Sequence, residues 1–184
     1  MPREPGFWSA ASEIIRHTLT NRETPRILIG GLGMGFTLAA VLRELGSRGA
    51  VVVAELVPAV VAWHRGPLAA ISGDAIRDAR VTIRETDVAQ LLREERGGYD
   101  AILLDVDNGP AGLVSKRNDW LYSPAGLRAA FAALREQGIL AVWSAGPDAA
   151  FTRRLQQAGF ATEEVTVRGR GGKGARYLIW IARK

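Results

Sequence analysis

The sequence predicts a single α/β domain in which helices cover both faces of a mostly parallel, seven-stranded sheet. Three observations predict this fold class. Apolar runs of strand length alternate five times with helical patterns. A glycine-rich turn links the first of these strands to the first long helix. The last two strand patterns are separated by only a short loop, so they must pair antiparallel, because parallel neighbours need a long crossover.

The length and composition suit one soluble domain. The chain has 184 residues, of which 47% are hydrophobic and 23% charged, which is enough for one core. No apolar run reaches the roughly 18–20 residues of a membrane span, and the N-terminus lacks an apolar signal core. We therefore expect a cytoplasmic protein without membrane contacts. The formal net charge of +5 modestly favours anionic partners.

Two residue types restrict the chemistry. The absence of cysteine excludes disulfides and thiolate catalysis. The only histidines are His17 and His64, so we expect neither a histidine-rich metal site nor a Ser–His–Asp triad, and no bound metal. Both histidines fall in helical patterns, where we expect solvated side chains.

The first part of the chain leads into the glycine-rich turn. The spacing of apolar residues predicts an amphipathic helix over residues 8–19, so that residues 1–24 form this helix and a connector to the core at 25–184. An apolar strand at 27–29 passes through the turn into a helix at 36–45.

The next strand and helix repeat this alternation. The β-branched run at 50–55 is typical of a parallel strand that is covered on both faces. A helix follows over residues 58–71, with Pro58 in its first turn, where a missing N–H does no harm. The pair Gly66-Pro67 should break or kink this helix.

The middle of the chain contains two further strands. We predict a strand at 78–84, a short helix at 88–96 and a strand at 99–105 whose apolar run, residues 101–104, stops at its carboxyl end. A polar loop at 112–120 follows.

The final part of the chain ends in the hairpin. A helix is predicted at 123–134, with a proline at its first position, and an apolar strand at 138–143. After a helix at 148–158, strands at 161–168 and 175–181 are joined by a basic, glycine-rich loop.

The turn Gly31-Leu32-Gly33-Met34-Gly35 is the first candidate ligand site. Its G-x-G-x-G spacing differs from the dinucleotide fingerprint G-x-G-x-x-G. Glycine lets the backbone approach a ligand closely, and the following helix offers free N–H groups and a partial positive charge. The strand–turn–helix context favours a nucleotide-type ligand, although such turns also serve strand–helix packing.

Acidic residues follow the next two strands. Glu55, twenty positions after Gly35, is placed to accept hydrogen bonds from ribose hydroxyls. Asp87 can bind the amino group of an adenine or cap the next helix, and these two roles are compatible.

A third group of polar side chains, Asp105, Asp107 and Asn108, follows the fourth strand. These residues fall at the rim where open α/β sheets bind ligands. A carboxylate there can orient an amine nucleophile and accept its proton. We expect Asp105 to be the catalytic base, assisted by Asp107. The alternative is that Asp105 only caps the loop.

In this order, these residues resemble the class I S-adenosylmethionine-dependent methyltransferase fold, and within it the spermidine synthases and their relatives. The resemblance covers roughly residues 25–160. It includes the glycine-rich turn, the strand 99–105 followed by Gly109-Pro110, and Leu121-Tyr122-Ser123 before a helix. It implies a Rossmann-like fold that binds S-adenosylmethionine or its decarboxylated form. The implied cofactor-binding residues are Gly30, Gly31, Gly33, Met34, Gly35, Glu55, Leu56, Asp87, Val88 and Asp105, and Asn108, Trp120 and Tyr122 are implied to contact the substrate.

The sequence also departs from the spermidine synthases. Leu32-Gly33 stands where that family carries an aspartate, which holds the amine of the decarboxylated cofactor and repels an intact carboxylate. The second family acid after the fourth strand falls at Asn108, and Asp107 stands at a usual Ser/Thr position. We expect no counterpart of the small N-terminal β domain that helps enclose the polyamine.

The leading hypothesis is a transferase that moves an aminopropyl group to a polyamine. One alternative is methyl transfer from S-adenosylmethionine to a small molecule or to RNA, which the missing aspartate favours. A catalytically silent nucleotide-binding module is another. The basic loop 168–176 could bind RNA phosphates, but without aromatic residues to stack bases we favour a solvated hairpin tip. A small-molecule substrate is expected, and a homodimer is left open.

Overall fold

The sheet is the framework of the molecule. The computed structural model describes residues 22–69, 74–106, 116–168 and 176–184, together with residues 12, 15, 16, 19 and 110. Within them, a seven-stranded sheet carries five helices. Its strands are β1 (Arg26–Gly30), β2 (Ala50–Glu55), β3 (Val81–Glu85), β4 (Tyr99–Leu104), β5 (Leu134–Ser144), β6 (Ala161–Arg168) and β7 (Arg176–Arg183).

The strand order is β3-β2-β1-β4-β5-β7-β6. Strands β1 to β5 run parallel to one another, and β7 pairs antiparallel with both β5 and β6. The predicted fold class and the antiparallel end of the sheet are therefore confirmed. The order reverses between β1 and β4, so the carboxyl ends of these two strands form the switch point where open α/β sheets bind ligands.

The helices begin mostly at capping residues. They are α1 (Phe36–Glu44), α2 (Pro58–His64), α3 (Val88–Glu94), α4 (Pro124–Ala133) and α5 (Ala149–Gln157). The side chains of Asp87, Ser123 and Asp148 accept backbone N–H groups at the starts of α3, α4 and α5. In the part of the chain that the structure describes, no helix has the length and apolar character to cross a membrane.

The two faces of the sheet bury separate clusters. Helices α3, α4 and α5 pack on one face, with Leu92, Leu127 and Phe151 in the cluster. Helices α1 and α2 pack on the other face through Leu38 and Val61. Successive strand residues point to opposite faces, which is why the parallel strands read as continuous apolar runs.

The N-terminal helix is only partly within the described residues. Residues 12, 15, 16 and 19 have helical backbone, and Ile15 is fully buried in the same cluster as α1. This agrees with the predicted helix, whose other residues lie outside the described ones.

In the middle of the chain one predicted boundary was wrong and one predicted break was right. Strand β3 begins at Val81 rather than at residue 78, because the Asp78 carboxylate accepts the backbone N–H and the Nε–H of Arg80, both at 2.9 Å, and holds a turn there. Helix α2 ends at His64, and the turns at 65–68 contain Gly66-Pro67, so the predicted break of this helix is confirmed. Residues 70–73, the end of the predicted helix, lie outside the described residues.

Two later boundaries also differ. Strand β5 begins at Leu134 rather than at residue 138, because Leu134 pairs with Tyr99 before an irregularity in the register. Within the predicted loop at 112–120, Lys116–Trp120 forms a 3-10 helix. For β5 the deciding contact is made by Tyr99, a residue that lies outside the local pattern.

A buried carboxylate joins the amino-terminal edge of the sheet. Asp100 on β4 is fully buried, and its Oδ2 accepts the Arg26 N–H at 2.8 Å and the Arg135 Nη1–H at 2.7 Å. Its Oδ1 lies 3.3 Å from Arg22 Nε. A buried carboxylate is stable only with such partners. These contacts connect β1, β4 and β5 at the edge opposite the switch point.

Replacing Asp100 with alanine should lower the free energy of unfolding by about 2–3 kcal/mol, because hydrogen bonds to a charged group contribute roughly 1.5–3 kcal/mol. Urea unfolding measures the change. The matched control is Glu23→Ala, since Glu23 is exposed and pairs with Arg48 at 3.7 Å; such pairs contribute little. Equal losses in the two variants would contradict a structural role for Asp100.

Candidate cofactor and active site

The glycine-rich turn carries the chain from β1 into α1 across the switch point. The φ angles of Gly31, Gly33 and Gly35 are +87°, +48° and +78°, values that favour glycine. The Gly35 N–H donates to the Leu32 carbonyl at 2.8 Å and closes the turn. A Cβ at Gly31 would lie 3.0 Å from the Asp105 carbonyl oxygen, whereas one at Gly33 would meet no atom within 4 Å. The turn therefore packs against the end of β4 and is open at Gly33.

Glu55, at the end of β2, anchors this turn. Its Oε2 accepts the Leu32 N–H at 2.9 Å and its Oε1 accepts the Val57 N–H at 2.8 Å. The residue is 7% exposed. Each carboxylate oxygen has a further lone pair, so Glu55 can hold the turn and still accept a hydrogen bond from a ligand hydroxyl. The structure thus brings Glu55 to the glycine turn, and its contact with ribose stays a prediction.

Asp105 lies on the other side of the turn, directly after β4. Its N–H donates to the Gly30 carbonyl at 3.2 Å, and its Oδ2 accepts the Thr37 hydroxyl at 2.8 Å. Burial raises the pKa of Asp105, and the hydrogen bond from Thr37 opposes this increase. A partly buried carboxylate with a raised pKa at a ligand-binding edge is suited to accept a proton.

The remaining predicted cofactor residues flank the same edge. Asp87 caps α3 by accepting the Ala89 N–H at 2.8 Å. Val88 is buried, and its side chain lies 3.2 Å from where a Cβ of Gly30 would stand. Leu56 and Met34 are 49% and 44% exposed. These two apolar side chains are available to cover a base or an alkyl chain.

The contact of Trp120, Tyr122 and Asn108 with a substrate stays a prediction, and the structure gives the positions of the first two. The Tyr122 hydroxyl donates to the Val106 carbonyl at 3.0 Å, so it fixes the start of the loop after β4. Trp120 packs against the core, with the Arg93 guanidinium 3.8 Å from its ring centroid. Asp107 and Asn108 lie outside the described residues. An open cavity of about 280 Å³ lies beside this loop, lined by Pro110, Asp119, Tyr122, Ser123 and Arg154.

Two site residues were missed by the sequence analysis. Thr37 is a buried polar residue within the apolar run of α1, and this pattern could have identified it. His64 is fully buried, with its Nε2 2.9 Å from the Gly33 carbonyl oxygen, so the expectation of a solvated His64 was wrong. A helical pattern does not show which loop packs against its last turn. His17 lies outside the described residues.

This arrangement fits an adenosyl ligand. The open side of Gly33 leaves space for a ligand. The carboxylate oxygens of Glu55 can accept hydrogen bonds from it, and the exposed Leu56 can cover its apolar part. Among the described residues, no group of three or more His, Asp or Glu side chains is arranged to hold a metal ion.

Comparison with known proteins gives one curated relative, and no family model matches the chain. Polyamine aminopropyltransferase 1 of Streptomyces coelicolor is 29% identical over 163 residues, which cover 84% of this chain and 30% of the relative. The chain thus spans less than a third of that protein's length.

Solved structures show the same fold. Spermidine synthase from Thermotoga maritima superposes with a TM-score of 0.75 at 19% identity, over 97% of this chain and 60% of that one. The 1,6-didemethyltoxoflavin-N1-methyltransferase of Burkholderia thailandensis, with bound S-adenosylhomocysteine, gives a TM-score of 0.64 at 22% identity, over 96% of this chain and 77% of that one.

The fold is therefore that of the class I methyltransferases. The chain is similar in sequence to a polyamine aminopropyltransferase and in fold to spermidine synthases, as the predicted resemblance implied.

Replacing Asp105 with asparagine should raise the melting temperature at neutral pH. The pKa of Asp105 in the folded state lies above its ordinary value of 3.8. The contribution of this side chain to the stability of the fold is therefore complete below pH 3.8 and is lost as the pH rises through the pKa of the folded state. The gain in the variant should therefore shrink towards pH 4. Thermal unfolding at both pH values measures it. A gain of the same size at both would contradict this role of ionisation.

Replacing Glu55 with glutamine should weaken adenosyl binding by about 1–3 kcal/mol. One carboxylate oxygen becomes an amide NH2 group, which cannot accept the hydrogen bond that the backbone N–H donated to that oxygen. Calorimetric titration with methylthioadenosine measures the loss. Glu85→Gln is the matched control, since Glu85 is the exposed register partner of Glu55 at the end of β3. An unchanged affinity in Glu55→Gln would exclude Glu55 from the binding site.

Proposed function

We propose that this protein is a transferase that moves an alkyl group from an adenosyl sulfonium cofactor to an amine, and that this group is aminopropyl. The observation that carries the proposal is the position of the Asp105 carboxylate. It lies between the glycine-rich turn and α1, hydrogen-bonded to Thr37, at the carboxyl end of β4. The sequence similarity to a polyamine aminopropyltransferase supports a polyamine as the acceptor.

The cofactor would be held by the backbone of the glycine-rich turn, by Glu55 at the ribose, by Leu56 at the base and by Asp87 at the adenine amino group. When bound, such a cofactor supplies a carbon bonded to a positively charged sulfur, which leaves as a neutral thioether. The protein then mainly has to align the nucleophile with that carbon.

The attacking amine must be neutral, although an alkyl amine titrates near the lysine value of about 10.4. We assign Asp105 to this step. One carboxylate oxygen is held by Thr37, which fixes the carboxylate so that it can orient the amine N–H and accept the released proton. Asp107, two residues further along the chain, is proposed to assist.

Methyl transfer from intact S-adenosylmethionine is the second candidate, and the position of Leu32 favours it. The Leu32 side chain is buried in the cluster with α1, and its N–H is bound by Glu55. At Leu32-Gly33 the spermidine synthases that this chain resembles carry a carboxylate, which selects the decarboxylated cofactor. Neither Leu32 nor Gly33 supplies a carboxylate, so nothing at this place repels the carboxylate of an intact cofactor.

The co-product distinguishes the two reactions. Incubated with decarboxylated S-adenosylmethionine and a diaminoalkane, the protein should release methylthioadenosine, detected by mass spectrometry. Asp105→Asn should bind the cofactor but lose this release. Release of S-adenosylhomocysteine from intact S-adenosylmethionine would support methyl transfer. If the protein binds none of the three compounds, decarboxylated S-adenosylmethionine, intact S-adenosylmethionine and methylthioadenosine, the proposal as a whole is contradicted.

A further inference from the structure

We propose that His64 is a positioning residue that sets the orientation of the glycine-rich turn and thereby determines its affinity for the adenosyl ligand. The ligand in this inference rests on the proposed function. The contact between His64 and the turn does not, because it is present in the chain alone.

The hydrogen bond between His64 and the glycine-rich turn has only one possible direction. His64 is the last residue of α2 and is 0% exposed. Its Nε2 lies 2.9 Å from the Gly33 carbonyl oxygen. A carbonyl oxygen can only accept, so Nε2 must carry the hydrogen and donate it. The contact therefore joins the end of α2 to the middle of the turn.

This hydrogen bond orients one peptide group of the turn. The Gly33–Met34 peptide is the central one of the turn, which the Gly35 N–H closes onto Leu32. In a planar trans peptide the C=O and the N–H point in opposite directions. With its C=O directed at the buried His64, this peptide directs the Met34 N–H away from the protein interior, where Gly33 is open and Met34 is exposed. A donor is thus offered on the side available to a ligand.

Fixing the turn before a ligand arrives affects how tightly that ligand binds. Glu55 holds the Leu32 N–H, and His64 holds the Gly33 carbonyl of the next residue. The two side chains fix the turn from β2 and from α2. A loop that is ordered before binding does not have to be ordered by the ligand, so its affinity is higher. Without the His64 donor, the central peptide is free to rotate, and the Met34 N–H loses its direction.

The experiment compares three variants with the wild type. His64→Leu removes the donor but keeps an apolar side chain, whereas His64→Gln keeps an amide N–H that can reach the same carbonyl. Val61→Ala is the matched control, because Val61 is a fully buried residue of the same helix and packs in the cluster with α1. Two quantities are measured: hydrogen exchange of the Gly35 amide without ligand, and calorimetric affinity for methylthioadenosine.

His64→Leu should speed Gly35 exchange and weaken methylthioadenosine binding, each by about tenfold, as expected for the loss of one hydrogen bond. His64→Gln should remain within about threefold of the wild type in both. Val61→Ala should lower the melting temperature through lost packing and change neither quantity.

Three results have a defined meaning. If His64→Leu matches Val61→Ala in both exchange and affinity, His64 only fills space and the inference is wrong. If His64→Gln behaves like His64→Leu, the donor is not the cause and the inference is also wrong. If the wild type does not bind methylthioadenosine, the proposed function fails, while Gly35 exchange still decides whether His64 orders the turn.

Discussion

The bond from the Leu32 N–H to the Glu55 carboxylate is the contact on which the candidate site depends. It ties the glycine-rich turn after β1 to the end of β2, so the turn keeps its position over the switch point. Asp105 approaches from the opposite side, through its backbone bond to Gly30. The parallel sheet supplies this geometry, because the carboxyl ends of β1, β2 and β4 lie side by side.

The burial of Asp105 at the carboxyl edge of the sheet lowers the stability of the fold. Burial raises the pKa of Asp105, and the hydrogen bond from Thr37 compensates only in part, so the ionised form of this carboxylate is disfavoured there. At the amino-terminal edge the buried carboxylate of Asp100 has two arginine partners instead. The buried carboxylate on β4 and the partly buried one directly after this strand thus have different surroundings, and of these two the less compensated one lies at the candidate site. This contrast is what a proton-accepting role at Asp105 leads one to expect.

Much of the fold was predictable because strands that are buried on both faces leave continuous apolar runs, and because a short connection forces an antiparallel pair. Glu55 and Asp105 were predictable as polar residues that end such runs. The roles of Thr37 and His64 were not, since each depends on a partner that is distant in sequence, Asp105 and Gly33. The start of β3 was missed for a similar reason, because the side-chain bonds of Asp78 override the strand pattern there. The contacts of Asp107 and Asn108 stay predictions.

The central claim is that an adenosine binds at the carboxyl edge of the sheet, between Glu55 and Asp105. Titration with methylthioadenosine, followed by backbone amide NMR, tests it most directly. The account predicts saturable shifts at Gly31, Gly33, Gly35 and Leu56. Shifts confined to the cavity around Ser123 and Arg154, or none at saturating nucleoside, would contradict it.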